Sequence, residues 1–321
     1  MRLFAYDDPL EGMAVGLRER DRIVPLPAWD VASSLLNDEL ASLRAAAAPL
    51  SGAVGLDPAS LQPRPAVMPG KVICVGLNYA DHAAEGGRPT PERPLLFAKF
   101  ANCVVADGER VVRPQGTHAL DLEVELGVVI GRQAHRVRAT EAMAFVAGYV
   151  VLDDVSARDW QGVPAALHEG ERGDGQWVRA KGSDTFLPVG PDFVTADELD
   201  PREGLRLRSW RIGPDGTEYP MQDGTTLDML WDVPALIEYI SRTVTLDPGD
   251  VIATGTPSGV GVFRDPPVFL QPGDRVRCEI EGIGSVANPI VDWSDDLDEV
   301  DEDQDVDDGS GRDLARGRSG A

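Results

Sequence analysis

The stretch L-D-L-E-V-E-L-G-V-V-I, residues 120–130, alternates apolar and acidic residues and then becomes wholly apolar. Such period-two alternation is typical of a β-strand, whose successive side chains point to opposite faces of a sheet. One face is then apolar, and the other carries Asp121, Glu123 and Glu125. Two interpretations stay open: a half-exposed strand with a solvated acidic face, or a row of acids that holds a hard cation.

A second acidic pair, Asp153 and Asp154, follows the apolar run A-G-Y-V-V-L at 147–152. Apolar residues that end in an acid predict a strand that delivers a ligand at its end, where sites are commonly built. Two carboxylates from one strand and one from another would suit Mg²⁺, and Mn²⁺ almost as well, because both prefer oxygen ligands. The alternative for Asp154 is an ordinary turn acid.

Nitrogen and sulfur ligands show no metal-binding pattern along the sequence. The histidines form no H-x-x-x-H or H-E-x-x-H pattern; they are His82, His118, His135 and His168. The cysteines form no C-x-x-C pair; they are Cys74, Cys103 and Cys278. We therefore expect reduced thiols, no zinc site of these kinds, and a metal held by oxygen.

The composition narrows the classes of partner. The net charge of −24 argues against a nucleic-acid partner, because phosphate contacts need clustered cations. We find neither an apolar run long enough for a membrane span nor a basic-then-apolar leader, so we expect no membrane contact and a cytoplasmic location. The tail 294–321 has 11 acidic residues against three arginines and is predicted to be disordered.

The spacing of Gly, Pro and Asp predicts a mainly β (α+β) fold with few short helices. We divide the chain into a small N-terminal domain, a main domain and the tail, at 1–65, 66–293 and 294–321. In the first we expect strands at 3–6, 14–17 and 23–26, a helix at 32–48 and then a Pro-rich linker at 61–70. In the second we expect strands at 72–76, 95–99, 122–130, 146–152, 205–212, 251–254 and 275–280.

Two further helices follow from local signals. The clearest covers 236–242, with Asp232 as N-cap and Pro234 in the first turn. The other is short and carries His82 and Glu85, which are three residues apart and therefore share a helix face. A carboxylate that orients a histidine makes a general base for water. An incidental surface pair is the alternative.

Lysine is rare in this chain, since only three of its 30 basic residues are lysines: Lys71, Lys99 and Lys181. An ammonium group can act as a compact charge at an oxyanion, which singles out Lys181 in the run W-V-R-A-K-G-S-D-T-F. The turn A-T-G-T-P-S-G-V-G-V, 253–262, offers backbone N–H groups and the hydroxyls of Thr254 and Thr256 to an anion. A plain tight turn is the alternative for that segment.

Together these motifs resemble the fumarylacetoacetate hydrolase (fumarylacetoacetase) family, in its C-terminal catalytic domain, and they occur in the family's order over about 71–293. The stretches that carry the resemblance are 75–85, 121–131, 147–159, 181–191, 222–226, 246–261 and 273–284. The resemblance implies the β-roll or sandwich fold of the family, a small N-terminal domain and a homodimer.

The resemblance also implies a role for each matched position. The metal ligands, for Mg²⁺, would be Glu123, Glu125 and Asp154. The catalytic residues would be a water-activating pair and a lysine that stabilises negative charge: His82, Glu85 and Lys181. The substrate-binding residues would be Arg158, Gln161 and Thr256. Asp121 would then flank the site, contact one of its residues or face solvent.

The activity that the resemblance implies is a Mg²⁺-dependent cleavage of a C–C bond in an acylpyruvate-like substrate, a small oxo acid, through an enolate. The alternatives are an isomerase or decarboxylase of 2-hydroxy-dienedioates or oxaloacetate in aromatic catabolism, and a binding protein without activity. The chain departs from the family pattern at Phe100, Leu122 and Asp153 and in the long acidic stretch 162–177. These departures leave the substrate open.

Overall fold

The computed structural model describes residues 1–10, 12–26, 40–50 and 52–294. Of the helix expected at 32–48, the structure describes one helix, Leu40–Ala47. Residues 32–39 lie outside the described residues. The predicted disordered tail also lies outside them, apart from its first residue, Ser294. No helix of the described ranges is long and apolar enough to cross a membrane.

The described residues form many strands and few helices, as predicted. The strands are β1 (Arg2–Asp8), β2 (Gly12–Glu19), β3 (Arg22–Leu26), β4 (Gln62–Pro63), β5 (Val72–Gly76), β6 (Leu95–Lys99), β7 (Val104–Val105), β8 (Val111–Arg113), β9 (Leu120–Asp121), β10 (Val124–Ile130), β11 (Val146–Asp153), β12 (Ser156–Ala157), β13 (Leu187–Pro188), β14 (Asp192–Thr195), β15 (Arg206–Ile212), β16 (Glu218–Thr225), β17 (Val251–Ala253), β18 (Arg275–Ile280) and β19 (Gly284–Asp292). The helices are α1 (Leu40–Ala47), α2 (Ala80–Glu85), α3 (Ala139–Ala142), α4 (Arg158–Gln161), α5 (Trp177–Lys181) and α6 (Val233–Ser241).

Two large sheets organise these strands. In the described chain, the larger is a 10-stranded sheet in the order β3-β2-β1-β14-β11-β10-β17-β5-β6, with β4 beside β1. The smaller, among the same residues, is a 5-stranded sheet in the order β16-β15-β18-β19-β8. Most pairs are antiparallel, while β17 pairs with β5, and β19 with β8, in parallel. Strands β10 and β11 pair at the centre of the larger sheet, which is the mainly β architecture that the sequence predicts.

The core confirms the alternation of side chains in 120–130. Leu126 and Val128 of β10 belong to a core cluster that also includes Leu207 of β15, so the smaller sheet packs on this face. Val129 belongs to a second cluster on the opposite face, where it joins Phe193 of β14. Burying both faces of a central strand removes a large apolar area from water.

The strand expected at 122–130 begins two residues later, at Val124, because the ladder breaks at Leu122 and Glu123. The backbone N–H of Leu122 donates to Asp121 Oδ1 at 2.9 Å, and that of Glu123 donates to Asp153 Oδ1 at 2.8 Å. The N–H of Asp154 in turn donates to the carbonyl of Glu123 at 2.9 Å. The break therefore brings two of the predicted metal ligands next to each other.

The N-terminal strands extend the larger sheet. Strand β1 pairs with β14, and β4, which lies in the expected linker at 61–70, pairs with β1. The boundary near residue 65 thus lies beside strands of one continuous sheet, and the division into domains stays a prediction. Helix α6 begins as predicted, since the Asp232 side chain accepts a hydrogen bond from Ala235 N–H at 3.0 Å. The expected free thiols are present and buried: Cys74, Cys103 and Cys278.

Candidate active site

Three carboxylates converge where β10 and β11 meet. Glu123 lies in the break before β10, Glu125 on β10, and Asp154 directly after β11, and one carboxylate oxygen of each lies within 4.8 Å of the others. All three side chains are buried. The solvated acidic face is therefore wrong, and Asp154 is not an ordinary turn acid, because its carboxylate contacts Lys99 and Lys181. Buried carboxylates require compensating charge or hydrogen bonds.

Two lysines compensate part of this charge. Lys181, at the end of α5, donates from Nζ to Glu123 Oε2 and Asp154 Oδ2, each at 2.7 Å. Lys99 Nζ lies 2.7 Å from the other oxygen of Asp154, Oδ1. Burial lowers the pKa of Lys181, but the charges of Asp154 and Glu123 outweigh it, and the pKa is raised above its ordinary value. The ammonium group therefore stays charged inside the protein.

Glu125 differs from Glu123 and Asp154 because no basic side chain of the described residues pairs with it. No lysine or arginine in the described part of the chain forms an ion pair with it, and its Oε2 accepts a hydrogen bond from Gly255 N–H at 2.9 Å. Burial, together with the charges of Asp154 and Glu123, raises the pKa of Glu125 well above its ordinary value. The pKa of Glu123, in contrast, is lowered, because Arg158 and Lys181 outweigh the effect of burial. A divalent cation held by oxygen ligands fits the uncompensated charge on Glu125.

Arg158 connects the predicted metal ligands to the predicted substrate-binding residues. Its Nε donates to Asp121 Oδ2 at 2.9 Å, and its Nη2 lies 2.6 Å from Glu123 Oε1. Its Nη1 donates to Gln161 Oε1 at 3.1 Å. Asp121 is buried and also accepts the backbone N–H of Gly261 at 2.8 Å, so it does not face solvent and instead fixes Arg158. Among the three options for Asp121, contact with a site residue is the one observed.

The pair of His82 and Glu85 forms as predicted on α2. His82 Nδ1 and Glu85 Oε1 are 2.7 Å apart, and Glu85 Oε2 accepts the backbone N–H of Gly259 at 2.8 Å. We assign the Nδ1 proton to this contact, because a carboxylate accepts. The neutral ring then has its lone pair on Nε2. His82 is buried, so the pair is not an incidental surface contact.

The turn 253–262 supplies fixed hydrogen bonds to this site. The Thr256 hydroxyl donates to the carbonyl of Val124 at 2.8 Å and accepts from Gln222 Nε2 at 2.7 Å. Gly255 has φ +96°, and a Cβ there would lie 2.8 Å from the Cβ of Asn78. Glycine is required at this position, since it adopts the left-handed region and leaves the N–H free to bond Glu125.

Most of the predicted site residues line one cavity. Those in its lining are His82, Glu123, Glu125, Arg158, Gln161, Lys181 and Thr256. The other two, Glu85 and Asp154, lie behind the wall and bond to His82 and Lys181. The apolar part of the lining includes Phe97, Trp177 and Phe263, and the exposed Arg88 reaches the same cavity.

Sequence reasoning missed three residues of this site: Lys99, Gln222 and Arg88. The rarity of lysine, which pointed to Lys181, applied equally to Lys99. Gln222 stood in a quoted family stretch but received no role; it is buried and also accepts the backbone N–H of Val124 at 2.9 Å. Arg88 is one arginine among many, and nothing in the pattern distinguished it.

Comparison with known proteins defines the class. Residues 71–291 match the model of the fumarylacetoacetate (FAA) hydrolase C-terminal domain, and the chain belongs to this enzyme family. Over 227 residues it is 45% identical to a bovine (Bos taurus) protein named oxaloacetate tautomerase FAHD2A, mitochondrial. The matched region covers 71% of this chain and 68% of the bovine protein.

Solved structures agree with this assignment. A 5-carboxymethyl-2-hydroxymuconate delta-isomerase from Mycobacterium smegmatis has a TM-score of 0.68 at 34% identity, with 91% of this chain and 99% of that chain covered. A fumarylacetoacetate hydrolase from psychrophilic Exiguobacterium antarcticum has a TM-score of 0.72 at 31% identity, with the same coverage, 91% and 99%. The fold of this family, predicted from the sequence, is confirmed.

Proposed function

We propose that this chain is a Mg²⁺-dependent tautomerase or isomerase of 2-oxo dicarboxylates of the oxaloacetate class, with Mn²⁺ as the alternative ion. The observation that carries the proposal is the position of Glu125 in the wall of the cavity that also contains His82, as a buried acid with no cationic partner among the described residues. The names of the bovine and mycobacterial relatives support isomerisation rather than hydrolysis as the first choice.

The residues that would hold the cation are Glu123, Glu125 and Asp154. A bound divalent cation would supply Lewis-acid stabilisation of negative charge on the substrate oxygens. Lys181 adds a fixed positive charge beside the same carboxylates, and its raised pKa keeps that charge in place at neutral pH.

The proton transfer falls to His82. Its Nε2 accepts the proton from the carbon next to the 2-oxo group and returns a proton to that carbon in the reverse direction. Glu85 stabilises the protonated ring, because its carboxylate contacts Nδ1 at 2.7 Å. The C–H bond breaks in this step and the enolate oxygen takes up a proton to give the enol, so no C–C bond is cleaved.

Arg88 gives the cavity a preference for a second carboxylate. The guanidinium of Arg158 is already engaged by Asp121, Glu123 and Gln161. Arg88 is exposed, forms no ion pair within the described residues, and lines both the cavity and the pocket next to it. Guanidinium groups bind carboxylates in a bidentate way, so a dicarboxylate has a partner for its distal end.

Hydrolysis of an acylpyruvate is the second candidate, and the contact between His82 and Glu85 favours it, because the same base can activate water. The two candidates differ in products. Tautomerisation or isomerisation conserves the carbon skeleton, while hydrolysis releases pyruvate. The homodimer and the cytoplasmic location are predictions that await their own measurements.

The deciding experiment follows the ultraviolet absorbance of enol oxaloacetate with the purified, Mg²⁺-loaded protein. We expect faster approach to the keto–enol equilibrium than in buffer with Mg²⁺ alone, and no acceleration by Glu125→Gln. Pyruvate release from an acylpyruvate panel, measured in parallel, would favour hydrolysis. A protein that accelerates none of these reactions with either ion would contradict the proposal.

A further inference from the structure

A second cluster of possible metal ligands lies outside the cavity. Two of the four histidines of the chain, His118 and His168, stack with ring centroids 4.0 Å apart and an interplanar angle of 18°. Glu171 joins them, and one ligand atom of each residue lies within 4.8 Å of the other two. The spacing of the histidines along the sequence predicted no such group, because the fold alone brings them together.

A buried carboxylate orients His118 from behind. His118 Nδ1 lies 3.3 Å from Asp159 Oδ2. Asp159 is itself 2% exposed and is fixed by the Thr117 hydroxyl at 2.7 Å. Metal-binding histidines commonly donate one ring nitrogen to a carboxylate, which directs the lone pair of the other nitrogen to the ion. Asp159 lies where it can accept a proton from His118 Nδ1, and Nε2 points away from it, towards the Ala166 carbonyl.

The Nε2 nitrogen of His118 faces oxygen atoms. His118 Nε2 lies 3.7 Å from Glu171 Oε2 and 2.9 Å from the carbonyl of Ala166. Glu171 Oε2 also accepts the backbone N–H of His168 at 2.8 Å, which fixes the carboxylate next to His168. His168 and Glu171 are exposed, so an ion could enter from solvent.

We propose that His118, His168 and Glu171 form a site for a divalent transition-metal ion of the Zn²⁺ class. Two imidazoles and one carboxylate suit Zn²⁺ and similar ions, whereas the acidic cluster in the cavity offers only oxygen and suits Mg²⁺. Binding of the ion breaks the hydrogen bond from His118 Nε2 to the Ala166 carbonyl, and the single ring proton moves to Nδ1, where Asp159 can accept it.

The site would fix one wall of the candidate active site. Residues 168–171 lie between α4 and α5, in the acidic stretch that departs from the family pattern. Val163 and Trp177, at the two ends of that stretch, both line the cavity. A metal bond between this stretch and His118 would therefore restrict its movement next to the substrate.

The test is a calorimetric titration of the full chain with Zn²⁺ in excess Mg²⁺. We expect one saturable equivalent that is lost in His168→Gln and in Glu171→Gln. The matched control is His135→Gln, because His135 is exposed and contacts only the Thr245 hydroxyl, at 3.2 Å, among the hydrogen bonds of the described chain. Zn²⁺ binding by His168→Gln that equals the wild type, or no saturable binding by the wild type, would overturn the proposal. Equal thermal unfolding midpoints without Zn²⁺ show that the variants fold.

A second readout tests the effect on the stretch itself. Arg172 is exposed and offers a trypsin cleavage site next to Glu171. We expect Zn²⁺ to slow cleavage there by about tenfold, which corresponds to about 1.4 kcal/mol of local stabilisation. His168→Gln should be cleaved at one rate with and without Zn²⁺. A wild-type rate that Zn²⁺ does not change would contradict the proposed restriction of this segment.

Discussion

Lys99 Nζ lies 2.7 Å from Asp154 Oδ1, and both side chains are fully buried. The same ammonium group donates to the carbonyls of Lys181 and Phe186. Lys99 therefore joins one predicted metal ligand to the end of α5, the helix that carries the predicted catalytic lysine, Lys181. The contact is part of the framework of the site as well as of its charge balance.

Replacing Lys99 should destabilise the protein strongly. We expect Lys99→Met to lower the free energy of unfolding by about 3–5 kcal/mol, because it leaves a buried carboxylate without one partner. The matched control is Arg206→Met, which breaks an ion pair with Asp223 on the surface and should cost about 1 kcal/mol or less. Urea unfolding measures both, and equal losses would refute the structural role of Lys99.

Glu125→Gln should separate metal affinity from stability. The buried carboxylate has a raised pKa and no cationic partner among the described residues, so its neutral amide should not destabilise the metal-free protein. We expect Mg²⁺ affinity to fall at least about a hundredfold, since one charged ligand is lost. Calorimetry gives the Mg²⁺ affinity, and unfolding curves of the chelator-treated protein give its stability without metal. Unchanged Mg²⁺ affinity would exclude Glu125 as a ligand.

Local patterns predicted the main strands and helices, whereas the resemblance to the family supplied most of the candidate site residues. The alternation in 120–130 predicted the apolar face of β10 and left its acidic face open between solvent and a cation, while the three-residue spacing predicted the contact of His82 with Glu85. The break at Glu123 depends on Asp153, and the position of Lys99 depends on Asp154, and both partners are distant in the sequence. Contacts of this kind follow from the assembled sheet and leave no periodic signal.

His82→Gln should slow turnover without loss of the cation. We expect the rate of tautomerisation to fall by about 10²–10⁴-fold, the usual contribution of general acid–base catalysis. Mg²⁺ affinity should change little, because His82 contacts Glu85 rather than the three carboxylates. His135→Gln serves as the control for the loss of a histidine. If calorimetry showed lost Mg²⁺ binding at an unchanged rate, the assignment of His82 would be wrong.

Arg88→Gln should change substrate preference. For oxaloacetate we expect KM to rise about tenfold with kcat nearly constant, because the ion pair to the distal carboxylate contributes to ground state and transition state alike. A 2-oxo monocarboxylate should be unaffected, and Arg88→Lys should restore part of the affinity. Steady-state kinetics on both substrates measure this. An equal rise in KM for both would show that Arg88 does not recognise the second carboxylate.

Asp192 of β14 forms an ion pair with Arg18 of β2, and the burial of its carboxylate should make the stability depend on pH. Burial raises the pKa of Asp192 to about 6, although Arg18 opposes the shift. Because the folded pKa exceeds the unfolded value of about 3.9, the stabilising contribution is present below about pH 4 and is lost as the pH rises through 6. The variant Asp192→Asn has no titratable group at this position.

We therefore expect the variant to gain about 2 kcal/mol relative to the wild type between pH 4 and pH 7. Urea unfolding of the two proteins at each pH measures the difference, in which the titration of all other groups cancels. Asp223→Asn is the control of opposite sign, because the hydrogen bond from Arg206 lowers the pKa of the exposed Asp223. If the difference between Asp192→Asn and wild type did not change with pH, the folded pKa of Asp192 would equal its unfolded value, and Arg18 would offset the burial in full.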